Sequence, residues 1–136
     1  MLVQTRGVNR EIAPGSLAPP AADYAHAVLV EQPDRVLHTS GVVPVRPDGT
    51  VPGDLREQAA VVWSNITALL AEAGMGTSDV VSVTTHVVVD ELGRLGEVMA
   101  ERDRALGGHR AASTLVTVAA LARSEWKVEI SVVAAT

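Results

Sequence analysis

The segment from Asp54 to Ala73 carries the strongest periodic signal in the chain and constrains what can form around it. Leu55, Ala59, Val62, Trp63, Ile66, Leu69, Leu70 and Ala73 recur at the spacing of a helix that buries one face. Asp54 is placed to cap the first turn, with Glu57 three positions on, and Gly74 and Gly76 end the run. Asp79 to Val89 then reads as a long strand rich in Val and Thr, and Leu92 to Leu106 as a second helix stopped by Gly107-Gly108. Two one-faced helices alternating with strands call for a sheet to receive their apolar faces.

The rest of the chain supplies that sheet. His26–Glu31 and Arg35–Ser40 read as strands around Gln32-Pro33-Asp34, together a hairpin. Two further β-rich runs close the chain, Ser113–Leu121 and Trp126–Ala134, across the short polar turn Ala122-Arg123-Ser124-Glu125. Pro14, Gly15, Pro19 and Pro20 mark residues 11–22 as a loop, and a short extra strand is expected near Leu2 to Thr5. The expected order is β-β-α-β-α-β-β in one domain over residues 1–136. The fold class is α+β: a mixed sheet, antiparallel at its hairpins, with two helices on one face.

The other sheet face is the informative one. Alternation puts Val81, Val83, Thr85, Val87 and Val89 on one side of the third strand, and Ser82, Thr84, His86, Val88 and Asp90 on the other. In the last strand Lys127, Glu129 and Ser131 share a face opposite Val128, Ile130 and Val132. A carboxylate between Val128 and Ile130 either meets water or has a task. If a neighbouring subunit seals that face, Glu129 becomes a candidate for moving a proton or orienting a water.

Composition makes a neighbour plausible. Of 136 residues 47% are hydrophobic but only 2% aromatic, with no Phe, so small Val, Ala, Leu and Ile side chains build the core. Further apolar burial against copies of the chain is expected. The net charge is −5 and the 11 Lys and Arg are scattered, which removes the electrostatic footprint of nucleic-acid binding. Cysteine is absent, so thiol nucleophiles, disulfides and thiolate metal sites are excluded. Residues 1–10 have no apolar core of a secretory signal, and no apolar run is long enough to span a membrane. A cytoplasmic protein is expected, with no membrane partner.

No phosphate-binding loop, dinucleotide fingerprint, serine-hydrolase elbow or zinc-protease motif occurs. The four histidines, His26, His38, His86 and His109, lie far apart, and their spacing gives no support to a metal site with Asp23, Asp90 or Glu129. Tyr24 reads first as an amphipathic packing residue and second as a pocket phenol. Thr39-Ser40-Gly41 reads as a turn whose backbone N–H groups suit a carboxylate ligand. Arg110 and Arg123 flank the Ser113–Leu121 strand and read as solvated loop residues or anion contacts.

Three stretches together resemble the Rid family: Ala22-Asp23-Tyr24-Ala25-His26-Ala27, Leu37-His38-Thr39-Ser40-Gly41-Val42-Val43-Pro44, and the closing Val128-Glu129-Ile130. This is the reactive intermediate deaminase family, also called YjgF or RidA-like and long labelled endoribonuclease L-PSP. The resemblance runs from about Tyr24 to the C-terminus. It implies a chorismate-mutase-like fold and a homotrimer whose sheets meet in a central barrel, with small-molecule pockets at the subunit interfaces. It implies hydrolysis of enamines and imines such as 2-aminoacrylate to a keto acid and ammonia, with no metal or organic cofactor. An Arg grips the substrate carboxylate and a Glu on the last strand helps position water.

Residue by residue the match is incomplete. Tyr24, Ser40, Gly41 and Glu129 fall on the family's pocket tyrosine, Ser-Gly pair and glutamate. The Arg falls on Ser113 and the pocket asparagine on Met99. Losing a bidentate charged contact costs about 1.5–3 kcal/mol, so weak or altered deaminase-like activity is expected, with Glu129 catalytic and Tyr24, Ser40, Gly41 and Ser113 holding substrate. The competing reading is a non-catalytic module that binds a metabolite in the same interface pocket. A ribonuclease is disfavoured by the acidic charge and scarce aromatics.

Overall fold

The computed structural model describes residues 8–136, so the strand expected at Leu2 to Thr5 lies outside the described residues. The elements are β1 (Val8–Ile12), β2 (Ala27–Glu31), β3 (Val36–His38), α1 (Leu55–Glu72), β4 (Val80–Val88), α2 (Leu95–Leu106), β5 (Ala112–Val118) and β6 (Val128–Ala135). Short 3₁₀ turns precede and follow β4, at Thr77–Asp79 and Val89–Arg94.

Four strands form a mixed sheet in the order β3-β6-β4-β5, with β4 parallel to β5 and antiparallel to β6. α2 is the crossover that lets β4 and β5 run parallel. β1 and β2 form a separate antiparallel ribbon. Ala25, just before β2, bridges Ala112 of β5, its N–H donating to Ala111 O at 3.0 Å.

Neither expected hairpin forms. β2 pairs with β1, and β3 pairs with β6. The C-terminal residue occupies the backbone groups a hairpin would use: Asp34 and Arg35 N–H donate to Thr136 O at 2.7 and 3.4 Å, and Thr136 N–H donates to Arg35 O at 3.1 Å. The closing strands are likewise apart, because β4 inserts between them and residues 119–127 form a longer loop than the four-residue turn expected.

α1 matches its sequence signal at both ends. Asp54 Oδ2 accepts from Glu57 N–H at 3.2 Å, and Gly74 leaves the helix with φ +71°. Leu55, Ala59, Val62, Trp63, Ile66 and Leu70 are buried and meet Val98 and Leu106 of α2 over Val83, Val87, Val128, Ile130 and Val132 of the sheet. Each such aliphatic side chain contributes about 1.5–3 kcal/mol by leaving water.

Two positions differ from the periodicity. Leu69 is 46% exposed, whereas Gln58 is fully buried. The Gln58 amide is satisfied on every side, Nε2 donating to Pro52 O and Glu125 O at 2.8 Å and Oε1 accepting from Lys127 N–H at 2.8 Å. It thereby anchors the 119–127 loop and the entry to β6, and with it the position of Glu129.

Candidate functional site

Strand register sorts the candidate residues into two corners. On the face away from the helices, His86 of β4 stands opposite Glu129 of β6, and Thr84 opposite Ser131. All four are half-buried while their neighbours Thr85, Val87, Val128 and Ile130 are buried on the helix side, as the alternation predicts. Residues 39–42 leave β3 and turn alongside β6, where Val42 and Ile130 exchange backbone hydrogen bonds at 2.7 and 3.1 Å.

That turn brings Gly41 against the carboxylate. A Cβ at Gly41 would lie 2.5 Å from Glu129 Cδ and 2.8 Å from Oε2. Only glycine here leaves the Glu129 carboxylate where it lies. Ser40 and Thr39 complete the corner: Thr39 Oγ1 donates to Ser40 O at 2.8 Å and accepts from Val132 N–H at 3.0 Å. On the other side of Ser40 a cavity of about 520 Å³ runs between the sheet edge and α1, lined mainly by Leu37, Val42 and the exposed Leu69, with His38, Thr39 and Glu72 also on its wall.

The second corner is built on β5. Ser113 pairs with Val83, which is 1% exposed, so its side chain faces the helix layer and not the face that carries Glu129. Within one protomer β4 separates the two strands, putting Ser113 and Glu129 about 10 Å apart across the sheet alone. Ser113 Oγ instead accepts from Arg102 Nη1 of α2 at 3.1 Å. The Arg102 guanidinium is 6% exposed and is held by Asp103 Oδ1 at 3.0 Å, with Nη2 directed at Asp23 O at 3.5 Å. Tyr24 is adjacent, its backbone O accepting from Arg110 Nη2 at 2.6 Å, and its ring meets His26 edge to face with centroids 6.3 Å apart.

Neither arginine singled out by sequence sits at Ser113. Arg110 pairs with Glu11 at 3.2 Å, and Arg123 lies 5.7 Å over the Trp126 ring beyond the opposite end of β5. The cation at Ser113 is Arg102, which sequence reasoning missed. Its signal was present: Val98, Arg102 and Leu106 fall at four-residue spacing on the buried stripe of α2, and a charged residue there needs partners. Met99 is half-buried on the same helix. Among the described residues no group of three or more His, Cys, Asp or Glu side chains could hold a metal ion, and no helix is long and apolar enough to cross a membrane.

A profile of the endoribonuclease L-PSP family matches residues 15–136. The chain belongs to the Rid family. A RutC family protein of Haemophilus influenzae is 33% identical over 105 residues, covering 75% of this chain and 72% of that protein. The crystal structure of the Rid protein YyfB from Yersinia pestis superposes with a TM-score of 0.86 at 30% identity, over 94% of this chain and 98% of that one. TdcF of Escherichia coli, provisionally named a reactive intermediate deaminase, is 27% identical over 67% of each chain. The structure of TdcF with bound serine matches with a TM-score of 0.66 at 26% identity, over 91% of this chain and 93% of that one. The two helices and mixed sheet of this chain are thus a Rid fold.

Proposed function

We propose that this Rid protein hydrolyses small imines or enamines to a carbonyl compound and ammonia, with Glu129 as the residue that activates water. The observation that carries the reading is the Glu129 carboxylate packed on Gly41 beside Ser40, on a sheet face that no helix covers. A carboxylate fixed by a close backbone approach is placed to take a proton from a water attacking the imine carbon. The apolar cavity behind Ser40 offers room for a hydrocarbon substituent.

The working form is a homotrimer in the cytoplasm, and the chain acts as one domain. Tyr24 and Ser113 lie in a different corner from Ser40, Gly41 and Glu129, so the five form one pocket only if the β5 corner of one copy faces the Glu129 corner of the next. Activity on 2-imino acids is weak. Arg102 carries its own counter-ion in Asp103, so the Ser113 corner presents a hydroxyl and a neutralised guanidinium where a carboxylate would need net positive charge. That neutrality also favours a second reading, a pocket that binds an uncharged metabolite without turning it over.

The test is ammonia release from imines generated in place by a coupled oxidase, with light scattering on the same samples. A mass about three times the 14.2 kDa chain and release that depends on Glu129 are expected. A trimer with no release above background from any imine selects the binding reading, and a stable monomer overturns the shared pocket.

A further inference from the structure

The four histidines do not share one role. His26 Nε2 and His109 Nε2 are each bound to a backbone carbonyl, Ala18 O at 2.6 Å and Val80 O at 2.7 Å, and so serve the chain's own structure. His38 is exposed at the end of the edge strand β3. His86 is different: it is half-buried at the centre of the sheet, and its ring makes no hydrogen bond among the described residues. Its register partner is Glu129.

Side chains directly opposite in an antiparallel pair have Cβ atoms about 5 Å apart. The Glu129 carboxylate is turned toward Gly41, on the side of β6 away from β4, and no hydrogen bond or ion pair joins it to His86. A gap therefore separates a carboxylate and an imidazole that share one uncovered face. The other neighbours of His86 are neutral: on β5 it faces Val116. Lys127, farther along the polar edge of β6, is occupied by Glu91 Oε1 at 3.3 Å and Gly53 O at 2.7 Å. Among the described residues Glu129 is thus the charged group that faces His86.

We propose that His86 is a second catalytic residue, the general acid that works opposite Glu129. The inference rests on the hydrolytic reading above. Glu129 takes a proton from water as the new C–O bond forms, while the C=N π pair moves to nitrogen, which takes a proton from the His86 imidazolium. The product is a carbinolamine. On collapse, the proton on Glu129 passes to nitrogen, the C–N bond breaks, and ammonia leaves. The hydroxyl proton returns to His86 as the C=O bond forms. One water is consumed, one ammonia is released, and both residues regain their starting state.

Two readouts on the intact protein test this. The first is the response of the His86 ring signals in NMR, assigned with His86→Gln, to a small ketone, the carbonyl product of the proposed reaction. The His86 ring signals are expected to move while those of His109, held by Val80 O, stay put. The second is the pH profile of ammonia release. His86→Gln is expected to lower the rate by about 10- to 100-fold and to remove the alkaline limb, leaving the acid limb of Glu129. His86 ring signals unmoved by the ketone overturn the placement of His86 in the site whatever the turnover. An alkaline limb that persists in His86→Gln overturns the acid role. A parent that releases no ammonia sinks the hydrolytic reading and the acid role with it, and the ketone response still decides whether His86 lines the Glu129 site.

Discussion

The two corners of the sheet differ in how their charges are treated. At the β6 corner the Glu129 carboxylate has no ion-pair partner among the described residues and packs against the backbone at Gly41. At the β5 corner both arginines are already engaged: Arg102 by Asp103 and Ser113, and Arg110 by Glu11 and Tyr24 O. Chemistry needs a group that gains more from the transition state than from its resting neighbours. Glu129 fits that requirement, whereas Arg102, buried and paired, fits the requirements of a cross-link between α2 and β5. The lesson is that a cation near a site is not a cation for the site unless its counter-charge is to come from the ligand.

The largest effect that can break this contrast belongs to Glu129→Gln. It keeps shape and removes the base, and it should lower ammonia release by about 100-fold or more with an unchanged unfolding midpoint in urea. Gly41→Ala comes next. Its methyl would displace the carboxylate rather than strain the backbone, so activity should fall by about 10-fold while stability drops by less than about 1.5 kcal/mol. A Gly41→Ala protein as active as the parent would show that the carboxylate position is not critical.

At the other corner the effect should appear in stability first. Arg102→Ala removes a buried cation and leaves Ser113 and Asp23 O without their donor, a loss of about 1.5–3 kcal/mol measured by urea unfolding. Ser113→Ala should cost about 1 kcal/mol. If Arg102→Ala leaves stability untouched yet weakens binding of a 2-keto acid tenfold, Arg102 serves the ligand and the contrast fails.

Much of this was legible in the sequence, and the gaps have physical causes. α1, its Asp54 cap and the alternation of β4 and β6 follow from local periodicity, and each appears where the pattern placed it. Strand partners do not follow from local pattern. β3 pairs with β6 because the C-terminal residue hydrogen-bonds to Asp34 and Arg35, a contact across the whole chain. β1 escapes the local pattern because Val8-Asn9-Arg10-Glu11-Ile12 is largely polar, as an exposed ribbon can be, and its last two residues fall in the stretch 11–22 that Pro14, Gly15, Pro19 and Pro20 mark as loop. The proximity of Gly41 and Glu129 was carried by resemblance alone; no spacing in the sequence encodes it. Which way Ser113 points depends on its pairing with Val83, and so on the parallel crossover.

The smallest expected effect lies away from both corners. Arg94 joins the starts of the two helices, donating to Asp54 Oδ1 at 2.9 Å and to Glu97 Oε2 at 2.5 Å. These hydrogen bonds hold the Asp54 and Glu97 carboxyls below their ordinary range and raise Arg94 further. Carboxyls depressed in the folded state stabilise it above their unfolded values and lose that contribution as pH falls through the folded ones. A slight loss of stability below about pH 4 is expected, diminished by salt and absent in Arg94→Ala, because the cluster is surface-exposed.

The most direct measurement compares two imines of similar size in the parent protein, one bearing a carboxylate beside the C=N bond and one without it, by initial rates of ammonia release. A reacting Glu129 beside a neutralised β5 corner predicts that the carboxylate-free imine is hydrolysed at least as fast, and that both rates collapse in Glu129→Gln. A strong preference for the 2-imino acid, or rates indifferent to Glu129→Gln, would contradict it.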